Sequence, residues 1–433
     1  MRARRGASER ARCPARAKRR RALVSSAYSR GRARPTSGDR MPRHARASQT
    51  HEACAAAHSW NSRRRNASSV RLANICLSHG HGKWQPLPRD QEATEPYLLD
   101  PRLQLVLKRE PRHWWGICDV DLIRNATNGD ISERPPRPAV LHEWEPDGEG
   151  CASLRKERAA LPTLGALACS FCKRHAGENI LFVGDSVQGE LFLAFASVLG
   201  IMSPPRVDAG NSECRRVAPR GSGSAELDVS IDTCAEGTRA VTVRFIRNEL
   251  LLLDGELNAR RRHPDRRLGA PALMLCEWRS AAQWADRLVL NRGYHSLSDP
   301  NEMSELGELN ATMAELSALA STSSERAWSS RVVYRGTHAS FRACHSRPDP
   351  EVQSWDDVAA LMRSRSNAQY NWRRIEQRAS QTRAMLEHLG VPYMDTYVAS
   401  ALRPGGRMPN SCNHFCLPGP IDDWVRLLIA RWT

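Results

Sequence analysis

Three polar residues lie far apart in this chain in settings that suit acyl chemistry: Ser186, Asn291 and His414. Ser186 closes the stretch Ile180-Leu181-Phe182-Val183-Gly184-Asp185-Ser186. Its first four residues read as a short buried strand, and Gly184 and Asp185 break it. Beyond Ser186, residues Leu191, Phe192, Phe195, Val198 and Leu199 recur at helical spacing. Strand, tight turn and helix together would put one hydroxyl at a helix N-terminus. There, unpaired backbone N–H groups and the positive end of the helix dipole can hold an oxyanion. A serine nucleophile needs that setting. The plainer reading is that Asp185 or Ser186 simply caps the helix.

His414 sits in Asn410-Ser411-Cys412-Asn413-His414-Phe415-Cys416-Leu417-Pro418-Gly419-Pro420. A histidine on a loop braced by two disulfide-capable cysteines is well placed to be held against a distant serine. The alternatives are a surface histidine in a disulfide-rich turn, or zinc binding through Cys412, His414 and Cys416, for which the spacing is too close. Cys169 and Cys172 have zinc-ribbon spacing, but no second pair follows, so disulfides are favoured there and no metal site is expected. Asn291 and His295, in Asn291-Arg292-Gly293-Tyr294-His295, also read as polar residues capping a strand end. His338 and His345 read as structural or exposed, and Arg335 lies near the site edge at most.

The elements that must position these residues alternate between strand and helix. Strands are expected at Ile180–Val183, Val241–Leu253, Arg287–Asn291, Arg331–Arg335 and Val391–Tyr397. Helices are expected within Ala152–Cys172 and over Val187–Leu199, Met303–Leu319, Ala368–Leu389 and Ile421–Trp432, with Gly390 as a stop signal. Pro204 to Gly237 is rich in Gly, Ser and Pro and reads as a long loop. The pattern predicts an α/β three-layer sandwich with a mostly parallel sheet. Ser186, Asn291 and His414 would then gather at the carboxyl edge, where such sheets collect functional residues.

Composition narrows the class. A chain of 433 residues with 41% hydrophobic residues supports a large core. The net charge of +17 is concentrated in Met1 to about Arg71, where arginines crowd and large apolar residues are few. This segment is expected to be disordered. It reads as a nucleic-acid-binding tail, an Arg- and Ser-rich transit-like extension or a spurious upstream extension of the sequence. A nucleic-acid partner for the folded part is disfavoured. No membrane-spanning apolar run and no signal-peptide core is evident. Thirteen cysteines, most of them in the folded part, and sequons at Asn66, Asn125 and Asn310 point to a secretory lumen. The organisation expected is a basic region over 1–110 and a folded domain over 111–433. That domain divides into a loop-rich cysteine-containing lobe (111–175) and a catalytic core (176–433).

Phe182-Val183-Gly184-Asp185-Ser186, Asp286 through His295 and Cys412-Asn413-His414-Phe415-Cys416-Leu417-Pro418-Gly419-Pro420 … Trp424 together resemble the plant trichome birefringence-like proteins. These belong to the PC-esterase branch of the Gly-Asp-Ser (SGNH-type) hydrolase fold. Trp144-Glu145-Pro146 … Cys151 resembles the end of that family's cysteine-rich N-terminal domain. The resemblance implies O-acetylation of polysaccharide hydroxyls in the Golgi or another secretory-pathway lumen, with glycan acetyl-ester hydrolysis as the alternative. Ser186 would carry the acetyl group and His414 would move the protons. The Ser186 N–H, Asn291 and Gly293, with Asp185 as auxiliary residue, would serve the oxyanion. No bound cofactor is implied; an acetyl donor, acetyl-CoA or another acetyl ester, enters as co-substrate.

Two departures stand out. The family places an acid three residues before the histidine, where this chain has Ser411. Losing the group that orients a catalytic imidazole costs about ten-thousand-fold in rate. Asp395, Asp422, Asp423 or a backbone carbonyl are the substitutes the sequence offers. The family also has Arg-Asn shortly after the serine, where this chain has Gln188-Gly189-Glu190. A catalytically lapsed lumenal glycan-binding protein is therefore the competing reading.

Overall fold

In the computed structural model, the residues described are 82–86, 142–147, 151–152, 155, 164–200, 206–208, 228–234, 239–253, 275–294, 302–323, 328–340, 372, 374–403, 406–408, 411–417 and 419–432. The arginine-rich N-terminal stretch, the Asn66 and Asn125 sequons, Cys118, Cys214, Cys344, His295 and His345 lie outside them.

Strands β1 (Gly82–Pro86) and β2 (His142–Pro146) form an antiparallel pair with Trp84 opposite Trp144. Then come α1 (Leu164–Arg174), β3 (Asn179–Gly184), α2 (Ser186–Gly200), β4 (Arg206–Asp208), β5 (Asp228–Thr233) and β6 (Val241–Arg247). The middle of the chain supplies α3 (Arg279–Trp284), β7 (Arg287–Leu290), α4 (Glu302–Ser323), α5 (Trp328–Arg331) and β8 (Val332–Arg335). The last elements are α6 (Ile375–His388), β9 (Tyr393–Met394), α7 (Tyr397–Ala401), β10 (Arg407–Met408), β11 (Ser411–Phe415) and α8 (Pro420–Trp432).

The main sheet has seven strands in the order β4-β5-β6-β3-β7-β8-β9. The five from β6 to β9 are parallel, and β4 and β5 extend the edge antiparallel. β3 lies between β6 and β7. Its Ile180, Leu181, Phe182 and Val183 are fully buried, as expected of a parallel strand covered on both faces. Successive side chains point to opposite faces. Ile180 and Phe182 join Phe192, Phe195 and Trp424 in the core beneath α1, α2 and α8. Leu181 and Val183 join Trp278, Met313 and Leu386 beneath α3, α4 and α6. This is the three-layer α/β sandwich with a mostly parallel sheet that the sequence predicts.

Four differences have local causes. The stretch read as a loop over 204–237 contains β4 and β5, because Asp228-Val229-Ser230-Ile231-Asp232-Thr233 alternates in the manner of a strand. β6 ends at Arg247, short of Leu253, because the Asn248 side chain ties the next turn shut. It donates to the carbonyls of Leu252 and Cys276 and accepts from the Leu252 N–H. Strand five shrinks to Tyr393–Met394, since Asp395 accepts the Tyr397 N–H at 2.9 Å and turns the chain into α7. Finally, Gly82–Pro86, assigned by sequence to the N-terminal region, belongs with the folded domain. Trp84 is buried, and its indole N–H donates to the Ala399 carbonyl at 3.0 Å.

Candidate active site

The turn from β3 to α2 is built as its residue types dictate. Asp185 is the N-cap: its Oδ1 accepts the N–H groups of Val187 and Gln188, each at 3.0 Å. Gly184 is required because a Cβ there would lie 2.7 Å from the Asn291 carbonyl oxygen. Ser186 then begins α2, and its own N–H has no acceptor among the described residues. The helix behind it is buried on all sides from Val187 to Leu199, and Glu190 is its only ionisable residue.

The sheet edge brings the distant histidine to this turn. Ser186 Oγ lies 3.3 Å from His414 Nε2. On the other side of the ring, His414 Nδ1 lies 2.6 Å from Glu190 Oε1. The second Glu190 oxygen accepts the Phe415 N–H at 3.2 Å, so the carboxylate grips both ring and backbone of the histidine strand. Nδ1 is therefore the protonated nitrogen, and the Nε2 lone pair faces the serine hydroxyl. Burial alone would lower the His414 pKa, but the charge and hydrogen bond of Glu190, with a contribution from Asp185, raise it above its usual value.

The orienting carboxylate is thus Glu190, which sequence reasoning passed over. None of the substitutes named there reaches the ring. Asp395 faces the Tyr397 N–H and Arg383, Asp422 accepts the Gly419 N–H, and Asp423 accepts the Trp144 N–H. Ser411 accepts the Asn413 N–H at 3.3 Å. A signal for Glu190 did exist. Residues four apart share a helix face, and a lone acid in a largely apolar helix, one turn past the candidate serine, needs a partner.

Asn291 stands at the carboxyl end of β7 as predicted, but its hydrogen bonds differ from those of an oxyanion donor. It is wholly buried, its Nδ2 donates to the Arg335 carbonyl at 2.8 Å, and its N–H donates to the Val183 carbonyl at 3.0 Å. It is a strut joining the ends of β3, β7 and β8. Gly293, at φ +62°, lets the chain pass against Asp185; a Cβ there would collide with the carboxylate. Asp185 also faces Arg335, whose Nη2 is 3.5 Å from Oδ1 and whose Nε donates to Gln188 Oε1 at 2.9 Å. Arg335 is fully buried below the site, with Trp424 packed against its guanidinium at 5.5 Å.

His414, expected on a loop, lies on strand β11, and that strand is held from beneath by buried polar side chains. His338 Nε2–H donates to the Asn413 carbonyl at 2.7 Å, and Arg407 donates to that of Cys412 at 2.7 Å. Burial, with Arg407 and Arg335 nearby, holds the His338 pKa well below its usual value, so the ring is neutral and structural. Cys412 and Cys416 are both disulfide-bonded, as are Cys151, Cys169, Cys172, Cys234 and Cys276. Cys172 pairs with Cys234 across 62 residues. These sulfurs are not thiolates, which removes the zinc readings for both cysteine groups. No cluster of metal-ligating side chains occurs among the described residues.

A parallel sheet whose carboxyl edge presents a Gly-Asp-Ser turn, a histidine and a carboxylate in hydrogen-bonded sequence defines an SGNH-type α/β protein. The PC-esterase family model, described as a GDSL/SGNH-like acyl-esterase family found in Pmr5 and Cas1p, matches residues 161–431, and the chain belongs to that family. No curated protein matches it. Membership implies esterase or acyltransferase chemistry.

Proposed function

We propose that this protein transfers acetyl groups to polysaccharide hydroxyls through an acyl-serine at Ser186. The observation that carries the reading is the continuous relay from Ser186 through His414 to Glu190. In the first half-reaction, His414 Nε2 takes the Ser186 proton as Oγ attacks the carbonyl carbon of the acetyl donor. The Ser186 N–H, at the N-terminus of α2, is aimed to stabilise the oxyanion. Collapse expels the donor's alcohol or thiol, which leaves with the proton from His414. In the second half-reaction, His414 deprotonates a sugar hydroxyl, that oxygen takes the acetyl group, and Ser186 recovers its proton. Glu190 stabilises the imidazolium in both halves. With water as acceptor the same steps hydrolyse an acetyl ester.

The competing reading of a lapsed, glycan-binding site drew on Ser411 and on the absence of Arg-Asn after the serine, and the Glu190 contact with His414 weighs against the first of these. A secretory lumen is supported by the disulfide-bonded cysteines. Among the described residues, no helix is long and apolar enough to cross a membrane.

The test is intact-mass measurement of the full chain incubated with an activated acetyl ester, beside Ser186→Ala and His414→Ala. A single added acetyl mass that vanishes in Ser186→Ala supports the reading. Adding acetyl-free glycans then separates transfer from hydrolysis by whether the acetyl group reappears on sugar. A folded protein with neither adduct nor ester turnover would sink it.

A further inference from the structure

Asn310, Ala311 and Thr312 form an Asn-x-Thr sequon in the middle of α4. The helix has a clear inner face, since Leu309, Thr312, Met313 and Leu316 are all buried. That spacing turns Asn310 outward, and it is exposed together with Gly307, Ala311 and Ala314. These neighbours are small, and a Cβ built on Gly307 would meet nothing within 4 Å. The outer face therefore leaves room around the asparagine. Asparagine is one of the weaker helix formers in mid-helix. The Asn310 side-chain amide has no partner among the described residues to offset that cost. Thr312 differs: it is 1% exposed, and its hydroxyl donates to the Leu251 carbonyl at 3.2 Å.

We propose that Asn310 carries an N-linked oligosaccharide, attached before α4 docks on the sheet. The proposal rests on the lumenal placement read above, and not on Ser186 being a nucleophile. The co-reactant is a pyrophosphate-linked oligosaccharide, and the catalyst is a glycosyltransferase of the lumen. Asn310 Nδ2 forms a bond to the anomeric carbon, and the bond from that carbon to the pyrophosphate oxygen breaks. The pyrophosphate leaves with the electron pair, and the amide proton passes to a base of the transferase. A sequon is read through its threonine hydroxyl as well as its asparagine. In the folded protein that hydroxyl is buried and bonded to Leu251. Only the chain before docking can present both groups together, so the fold itself imposes the order. Once attached, the glycan projects from the outer side of α4. The inner side of α4 packs on the sheet face opposite α2, so the sugar stands clear of the relay.

The experiment sends the full chain into the lumen of a eukaryotic cell behind a cleavable leader, so that entry is supplied. Peptides are then mapped by mass before and after enzymatic release of glycans, which keeps Asn310 apart from the sequons at Asn66 and Asn125. The Asn310 peptide should appear as a glycopeptide and carry aspartate at 310 after release. Thr312→Ser should retain the glycan. Asn310→Gln, a change at an exposed position, should lose that glycan alone and keep the ester turnover of the parent. A disulfide-bonded lumenal chain with Asn310 bare would overturn the proposal. The order is tested on protein made without glycan, offered to purified transferase and lipid-linked oligosaccharide either folded or reduced and unfolded. Modification of the unfolded chain alone is expected, and equal modification of both would overturn the order. Ester turnover is scored on the same samples. An inactive chain glycosylated at Asn310 would count against the acyl-transfer reading only, and an active chain bare at Asn310 against this one only.

Discussion

Glu190 stands one helical turn beyond Ser186 on α2, and its carboxylate meets the face of His414 opposite the serine, 2.6 Å from Nδ1. The serine and the carboxylate thus come from one helix, and only the histidine arrives from elsewhere in the chain. Position 411, three residues before the histidine, is left with a small local task.

Replacing the Glu190 charge while keeping its shape should therefore disable the relay. Glu190→Gln is expected to lower kcat for acetyl-ester turnover by up to about ten-thousand-fold, with KM little changed. Ser411→Ala removes a hydroxyl that, among the described residues, accepts the Asn413 N–H, and should stay within about tenfold of the parent. Steady-state kinetics on the two variants side by side decides the matter. A severe Ser411→Ala defect with an active Glu190→Gln would reverse the assignment.

The raised His414 pKa sets a pH dependence whose sign is fixed. The base must be neutral, so kcat/KM should rise with pH through an apparent pKa above 6.5. In Glu190→Gln the acid limb should move to lower pH. Because the fold favours the protonated ring, His414 adds stability below pH 6.5 that fades as pH climbs through its folded value. A pH–rate profile of both proteins tests the first part, and midpoints measured across the same range test the second.

Gly293→Ala should be harmful out of proportion to its size. The positive φ disfavours any side chain, and the added methyl meets the Asp185 carboxylate. A stability loss of more than about 1 kcal/mol is expected. Ester turnover should fall with it, because Asp185 caps the turn that presents Ser186. Denaturant unfolding and the acetyl-ester assay read the two effects.

The Cys172–Cys234 bond closes a 62-residue loop between the end of α1 and the residue after β5. Replacing both cysteines by alanine should cost about 4 kcal/mol if the cross-link acts by restricting the unfolded chain. Equilibrium unfolding of the double variant, compared with the parent, gives the figure directly.

Ser186 and His414 were legible in the sequence because each sits in a local pattern, one a strand–turn–helix and the other a loop between two cysteines. The parallel centre of the sheet was legible for the same reason: its strands are short apolar runs with clear ends. Glu190 was not, because its role depends on which distant strand docks against α2. Sequence attention fell instead on position 411. Asn291 was placed at the right strand end, but only the Arg335 carbonyl reveals that its amide braces the sheet. β1 was hidden because its partner, β2, lies far along the chain and neither strand carries a long apolar run.

A relay split between one helix and one strand has only one joint. α2 carries both the serine and the carboxylate, so a shift of its backbone moves both partners of the imidazole together. β11 carries the imidazole alone, and any lift of β11 opens both hydrogen bonds together. The geometry of both contacts therefore depends on how β11 is seated. The side chains beneath it, His338 on the Asn413 carbonyl and Arg407 on that of Cys412, are what keep it seated.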